Sequence, residues 1–285
     1  MSFSHRFPPL LLLILLLGAN PVKSQETKIQ DTPDTNTIAQ RFPAPDGFQR
    51  RPATGFGEWL RRLPLKPERS QVLLYNGRPK SRQDVHVAVV DIDVGNRDLQ
   101  QCADAVIRLR AEYLRGRGCE DAISFNFTSG DPARWSDYRR GTRPQVRGNQ
   151  VSWKQSGPSD ASDAAFRRYL NLVFTYAGTL SLAAELEPVT DPSSIRIGDV
   201  FIQGGSPGHA VLVVDVAEND AGKRLFLLAQ SFMPAQEIHV LKSLDHRSPW
   251  YAMRTRGQIS TPEWIFELGD LRRFPDLPSC PDTLP

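Results

Sequence analysis

Cysteine is scarce in this chain. Three residues of this type, Cys102, Cys119 and Cys280, are too few and odd in number for a disulfide framework. Cys102 and Cys119 lie 17 positions apart, mostly along an expected helix, so about 25 Å separates them at 1.5 Å per residue. A bridge needs α-carbons within roughly 7 Å, which leaves Cys102 as a free thiol. A strong excess of either charge is also missing: the formal net charge is +3, too small to point to nucleic acid by itself. No His-x-x-x-His or Cys-x-x-Cys spacing occurs, so neither a metal nor a cofactor is expected. A site built from His209, His239 and Asp215 has no such spacing behind it. The glycine-rich run Gly204-Gly205-Ser206-Pro207-Gly208 carries no lysine and leads into a strand rather than a helix, unlike a phosphate loop. After Leu17 no apolar run approaches membrane-spanning length, and no internal repeat is found.

What the N-terminus does have is a basic start with Arg6, an unbroken aliphatic run Leu10–Leu17 and a small residue at Ser24. That layout reads as a secretory signal peptide over 1–24, cleaved near Ser24–Gln25. The mature protein is then expected to be exported, periplasmic or extracellular, with no stable membrane insertion. Polar residues dominate 25–46, a flexible leader. One α+β domain is expected over 47–275, followed by a Pro-rich tail over 276–285.

Within the domain, Val72–Tyr75 followed by Asn76-Gly77 reads as a strand and turn pairing with Val85–Val94. A helix over Leu99–Tyr113 follows, with Asp98 at its positive end and Gly116 and Gly118 at its stop. Asp131–Pro158 reads as a long loop decorated by Trp135, Tyr138, Trp153 and several arginines, with a candidate strand at Gln150–Lys154. A second long helix spans Ala164–Leu186, capped by Ser162 or Asp163. Strands at Val200–Ile202, Ala210–Val216, Leu225–Ser231 and Glu237–Leu241 come next. Strands before and after helices, without β-α-β alternation, imply an α+β fold with a mostly antiparallel sheet and two main helices.

The stretch Ile195–Ala217 organises the rest, because its Gly-rich loop places one histidine, His209, at the mouth of a β-branched strand. Cys102 falls in the first turns of its helix, where a thiolate is favoured. On the apolar face between Leu99 and Val106 it equally suits a packed thiol.

The runs G-D-V-F-I, P-G-H-A-V-L-V-V-D-V-A and L-L-A-Q-S resemble the second half of CHAP and NlpC-type cell-wall amidases and peptidases. That resemblance implies a papain-like fold with Cys102 as nucleophile, His209 as base and Gln230 or Ser231 as the orienter of the histidine. It also implies that Gln101 donates to an oxyanion. From Phe48 to Phe274 the chain more closely resembles an uncharacterised bacterial family, domain of unknown function 4846. The run D-L-Q-Q-C-A-D-A-V-I-R-L-R-A-E-Y-L, the His209 segment, L-L-A-Q-S-F-M-P-A-Q-E-I-H-V and S-P-W-Y carry that likeness, and it brings no reaction with it. The expected function is thiol hydrolysis of cell-envelope amide bonds, with Gln101, Trp135, Arg139 and Ser231 meeting a cell-wall peptide or glycan. The competing expectation is a non-catalytic envelope protein that binds through Trp135, Tyr138, Trp153 and the neighbouring arginines.

Overall fold

The computed structural model describes residues 36–244, 248–277 and 280. The expected signal peptide and most of the leader lie outside them. Short elements open the described chain: helix α1 (Ile38–Arg41), strand β1 (Gln49–Arg50) and helix α2 (Gly55–Arg61). Ordered packing begins earlier than the composition of the leader implies. Ile38 is fully buried, and the Ile38 amide donates to the Leu63 carbonyl. One large apolar side chain in a polar stretch is enough to anchor the segment.

Strand β2 (His86–Val89) precedes helix α3 (Cys102–Gly116), and β3 (Ser124–Asn126) pairs with β4 (Pro132–Arg134). Helix α4 (Trp135–Arg139) and strand β5 (Thr142–Arg147) occupy segments expected as loop, and β6 (Gln150–Gln155) forms where a strand was expected and pairs with β5. The helix expected over Ala164–Leu186 is two: α5 (Asp163–Tyr176) and α6 (Thr179–Glu185), divided at Ala177-Gly178. Glycine there favours a break. The Ser162 side chain caps α5 by accepting from the Ala165 amide.

The remaining strands are β7 (Glu187–Pro188), β8 (Val200–Gln203), β9 (His209–Glu218), β10 (Arg224–Gln230), β11 (His239–Leu241), β12 (Tyr251–Ala252), β13 (Gln258–Ser260), β14 (Ile265–Glu267) and β15 (Leu271–Arg273). The main sheet runs β2-β11-β10-β9-β8-β15-β7, with β1 beside β9 and β12 beside β10. Every pairing is antiparallel. The expected partnership of Val72–Tyr75 with Val85–Val94 does not form. Gly77 at φ +78° closes a tighter turn, and β2 pairs instead with β11. Non-local pairing to a buried strand outweighs the local turn signal.

Period-two alternation along β9 separates two cores. Ala210, Leu212 and Val214 join the cluster that contains Ala103, Val106 and Ile107 of α3. Val211 and Val213 join Phe201, Phe226 and Phe266 on the other face. Cys119 and Cys280 form a disulfide with a Cα–Cα distance of 5.7 Å, a pairing the sequence left open, and Cys102 is free as expected. Sequence reasoning tested only Cys102 against Cys119. The bridge spans 161 positions, so removing it should cost about 2–4 kcal/mol. A Cys119→Ala/Cys280→Ala variant should unfold several degrees lower by scanning fluorimetry, and an unchanged midpoint would show that the bridge stabilises nothing.

Candidate active site

His209 is the first residue of β9, opposite Gln203 of β8. The loop before it must pass very close to α6: a Cβ on Gly208 would lie 2.4 Å from the Thr179 hydroxyl and 2.6 Å from the Gly205 carbonyl. Only glycine fits there, so the Gly-rich run serves to set His209 at the strand mouth. The imidazole is buried among Phe232, Trp264 and Phe266, with ring centroids 4.9, 5.2 and 5.9 Å away.

A polar chain behind this ring fixes its proton. Lys80 Nζ lies 2.7 Å from Glu263 Oε1, both side chains being almost wholly enclosed. Glu263 Oε2 accepts from Gln230 Nε2 at 2.7 Å, and Gln230 Oε1 lies 2.8 Å from His209 Nε2. An ionised carboxylate only accepts, so Glu263 dictates which end of the Gln230 amide faces it. The other end is then an oxygen, which requires Nε2–H on His209 and leaves Nδ1 as the bare, basic nitrogen. His239 pairs across the sheet from Gln230. Its Nδ1 donates to the Glu237 carbonyl at 2.9 Å, and its Nε2 lies 3.4 Å from Gln230 Nε2.

Cys102 is the first helical residue of α3, buried, and the only unpaired cysteine. Burial pushes its thiol up to about 11, while the backbone amides of Ala103 and Ala210 pull it down. Ala103 of α3 and Ala210 of β9 share one core, so the helix start lies by the strand mouth, while alternation along β9 puts the His209 side chain on the opposite, Phe266 face. Among the described residues no hydrogen bond joins the thiol to the imidazole, whose ring turns toward the aromatic face. Burial lowers His209 to about 4, against a raising contribution from Gln230. The resting pair is therefore neutral thiol and neutral imidazole across the physiological range.

The helix start is held from several sides. Ser231 Oγ lies 2.9 Å from the Gln100 carbonyl and 2.7 Å from that of Gln236. Asp98 Oδ1 accepts from the Ala235 amide at 2.7 Å, and the Gln101 amide donates to Asp104 Oδ2 at 3.0 Å. Gln101 Nε2 is 3.4 Å from Asp98 Oδ1, at the edge of hydrogen-bonding range. Thus Cys102, His209, Gln230, Gln101 and Ser231 gather at one end of the sheet, with Ser231 fastening α3 rather than facing a ligand.

Two expected binding residues sit elsewhere. Trp135 is completely enclosed against Tyr138, Phe166 and Tyr169, so it offers no ring face to a ligand. Arg139 is engaged by Glu120 and, at 2.9 Å, by Asp121. Trp135 and Tyr138 fold inward because α4 packs on α5, a tertiary effect with no local sequence signal, while Trp153 on β6 stays half-exposed against Phe127. Asp215 lies six positions along β9 from His209 and is held by Arg50 and Arg61 at 2.6 and 2.7 Å, so it does not converge with the histidines. Lys80 and Glu263 are the members that sequence reasoning missed. Neither belongs to a spacing pattern, and only their enclosure marks them.

Burial also raises Asp104 to about 8, against the lowering effect of the Gln101 amide. Well above pH 6.5 His209 and His239 are neutral folded or unfolded. Asp104 then holds a proton in the fold that the unfolded chain has lost, so stability falls as pH rises toward 8. Glu185, raised by burial to about 7, adds a contribution of the same sign. On the acid side, His209 and His239, lowered by burial to about 4 and about 3, act oppositely. Stability falls as pH drops below 6.5 and the unfolded histidines take up protons. Urea midpoints at pH 6.5 and 8.5 should show an alkaline loss that Asp104→Asn shrinks. A slope unchanged by that substitution would mean Asp104 is already ionised in the fold.

Compared with known families, residues 38–273 match the model described as domain of unknown function 4846. No curated protein and no solved structure matches the chain.

Proposed function

The chain belongs to the domain of unknown function 4846 family, and from that premise we propose that it is an exported, papain-like thiol hydrolase of cell-envelope amide bonds. The observation that carries this reading is a free, buried cysteine at the start of α3 together with a histidine at the start of β9 whose Nε2 is tied to Gln230. The resemblance of the His209 segment to CHAP and NlpC-type enzymes supports it.

In this mechanism the imidazole turns from the Phe266 face toward α3, and Cys102 Sγ attacks the amide carbonyl carbon as its proton passes to His209 Nδ1. The C–S bond forms, and negative charge collects on the carbonyl oxygen near the first-turn amides of α3 and the Gln101 side chain. The imidazolium returns the proton to the leaving nitrogen, and the C–N bond breaks. Water, deprotonated by the same Nδ1, then releases the acyl group as a carboxylic acid and restores the thiol. Gln230 keeps the imidazole in the tautomer this requires.

The test is incubation of purified protein with peptidoglycan, with chromatography of the soluble fragments and assay of new amines. Release of peptide fragments that depends on Cys102 supports the proposal. Absence of any new amine across peptidoglycans of several cross-link types would sink it. The non-catalytic alternative would rest on the half-exposed Trp153 and the exposed Arg134 and Arg147, since Trp135 is enclosed and Arg139 is paired with carboxylates.

A further inference from the structure

A cavity of about 580 Å³ opens at the opposite end of β9, lined by Val216 and Glu218 rather than His209. Nine residue steps along the strand put it about 30 Å from the imidazole at 3.3 Å per residue. Its size falls within the range of small-molecule sites. Its walls are fastened by bonds between distant segments. Arg224 donates to the Ile195 carbonyl at 2.9 Å, and Arg61 donates to the Arg51 carbonyl at 2.8 Å. Cys280 also lines the cavity, and its bridge to Cys119 ties that wall to the chain just past α3. A wall held in this way is built before any ligand arrives, as small-molecule sites usually are.

The floor is apolar. Phe56 and Phe274 meet edge to face at 6.1 Å. Ala53, Ile197 and Leu277 line the cavity while only half-buried, which leaves hydrocarbon surface in water. Around this floor, charge is matched with charge. Glu218 is 2.7 Å from Arg51 and 2.9 Å from Arg224, and Asp199 is 2.6 Å from Arg273. Arg61 lies 2.7 Å from Asp215, and Arg196 lies 3.8 Å from Asp276. Further carboxylates stand behind these pairs. Asp199 first, then Asp276 and Glu187, raise Arg273, while Asp191 is lowered by Ser193 and more weakly by Arg224. The Arg110 guanidinium lies 5.0 and 5.1 Å over the rings of Phe56 and Phe274.

From this arrangement we infer a second site, which takes an uncharged small molecule whose hydrocarbon body lies on Phe56, Ile197 and Phe274. An anion or a cation entering here would give up its water to a wall whose charges already hold partners. The same hydrocarbon body without a charge meets no such cost, and the apolar floor favours it. The inference does not depend on the Cys102 reading.

Isothermal titration of the full mature chain at pH 7 tests it with octan-1-ol, octanoate and octylamine, which share a hydrocarbon chain and differ in charge. Octan-1-ol should bind once per chain, at least about tenfold tighter than either ion. Ala53→Trp and Leu277→Trp, both at half-buried lining positions, should each weaken it by about tenfold or more in chains whose circular dichroism is unchanged. Arg196→Gln, at an exposed side chain, should change it by less than about twofold. Either ion binding as tightly as octan-1-ol, or a loss of about tenfold in Arg196→Gln, would overturn the uncharged ligand. Octan-1-ol binding untouched by both tryptophan variants would place it elsewhere, and no saturable binding of octan-1-ol would end the proposal.

Discussion

Replacing Cys102 with alanine is expected to lower peptidoglycan amide release by on the order of 10³-fold or more, with the fold intact. A one-atom truncation at a buried position beside Ala103 and Ala210 leaves a small void, costing far less than a collapsed core. Cys102→Ser tests the chemistry more narrowly. It preserves shape, but a hydroxyl gives up its proton much less readily than a thiol, so activity should stay near that of the alanine variant. The thiol's own reactivity follows from its burial. With its pKa pushed up to about 11, Cys102 at pH 7.5 holds a thiolate fraction roughly 10²-fold below that of a free cysteine. Iodoacetamide labelling, followed by mass spectrometry, should therefore be slow at pH 7 and quicken about tenfold per pH unit up to pH 10. Fast labelling at pH 6 would instead reveal a resting thiolate–imidazolium pair and reverse the proton order described above. Hydrolysis that survives Cys102→Ala would remove the cysteine from the mechanism altogether.

The candidate positions Cys102 and His209 stand out in the sequence because their signals are local. Cys102 stands at a helix start marked by Asp98 and by apolar spacing, and His209 ends a Gly-rich run before a β-branched strand. The same locality explains the α+β reading and the positions of β8, β9 and β10. What lay beyond reach was long-range. The partner of β2 is β11, more than 150 positions away, and the Asn76-Gly77 signal pointed to the nearer strand. Trp135 looked like surface decoration because its polar neighbours outnumber it. Its burial comes from α5, whose Phe166 and Tyr169 close over the ring. Lys80 and Glu263 are ordinary surface residue types, brought together across 183 positions by the fold.

That buried pair yields the second large effect. Glu263→Gln is expected to cut kcat by about 10- to 100-fold with little change in KM, because it frees the Gln230 amide to turn. In the native chain the carboxylate accepts from both Lys80 and Gln230 and admits only one amide orientation. A glutamine at 263 can donate or accept, so Gln230 can present Nε2–H to His209. The histidine proton then moves to Nδ1, and no lone pair remains to receive the thiol proton. Nitrogen-15 shifts of His209 report the tautomer directly, and a purely structural role for Glu263 would leave them unchanged. Removing one partner of an enclosed ion pair typically costs about 3–5 kcal/mol, so a variant that also removes the other charge is the control for lost folding. A Lys80→Met/Glu263→Gln double variant removes both charges and relieves that penalty while keeping the freed amide. If the double variant is stable and its His209 still carries the proton on Nε2 with full activity, Glu263 does not set the tautomer. If the proton moves and activity falls with it, the chain from Lys80 to His209 is part of the catalytic apparatus.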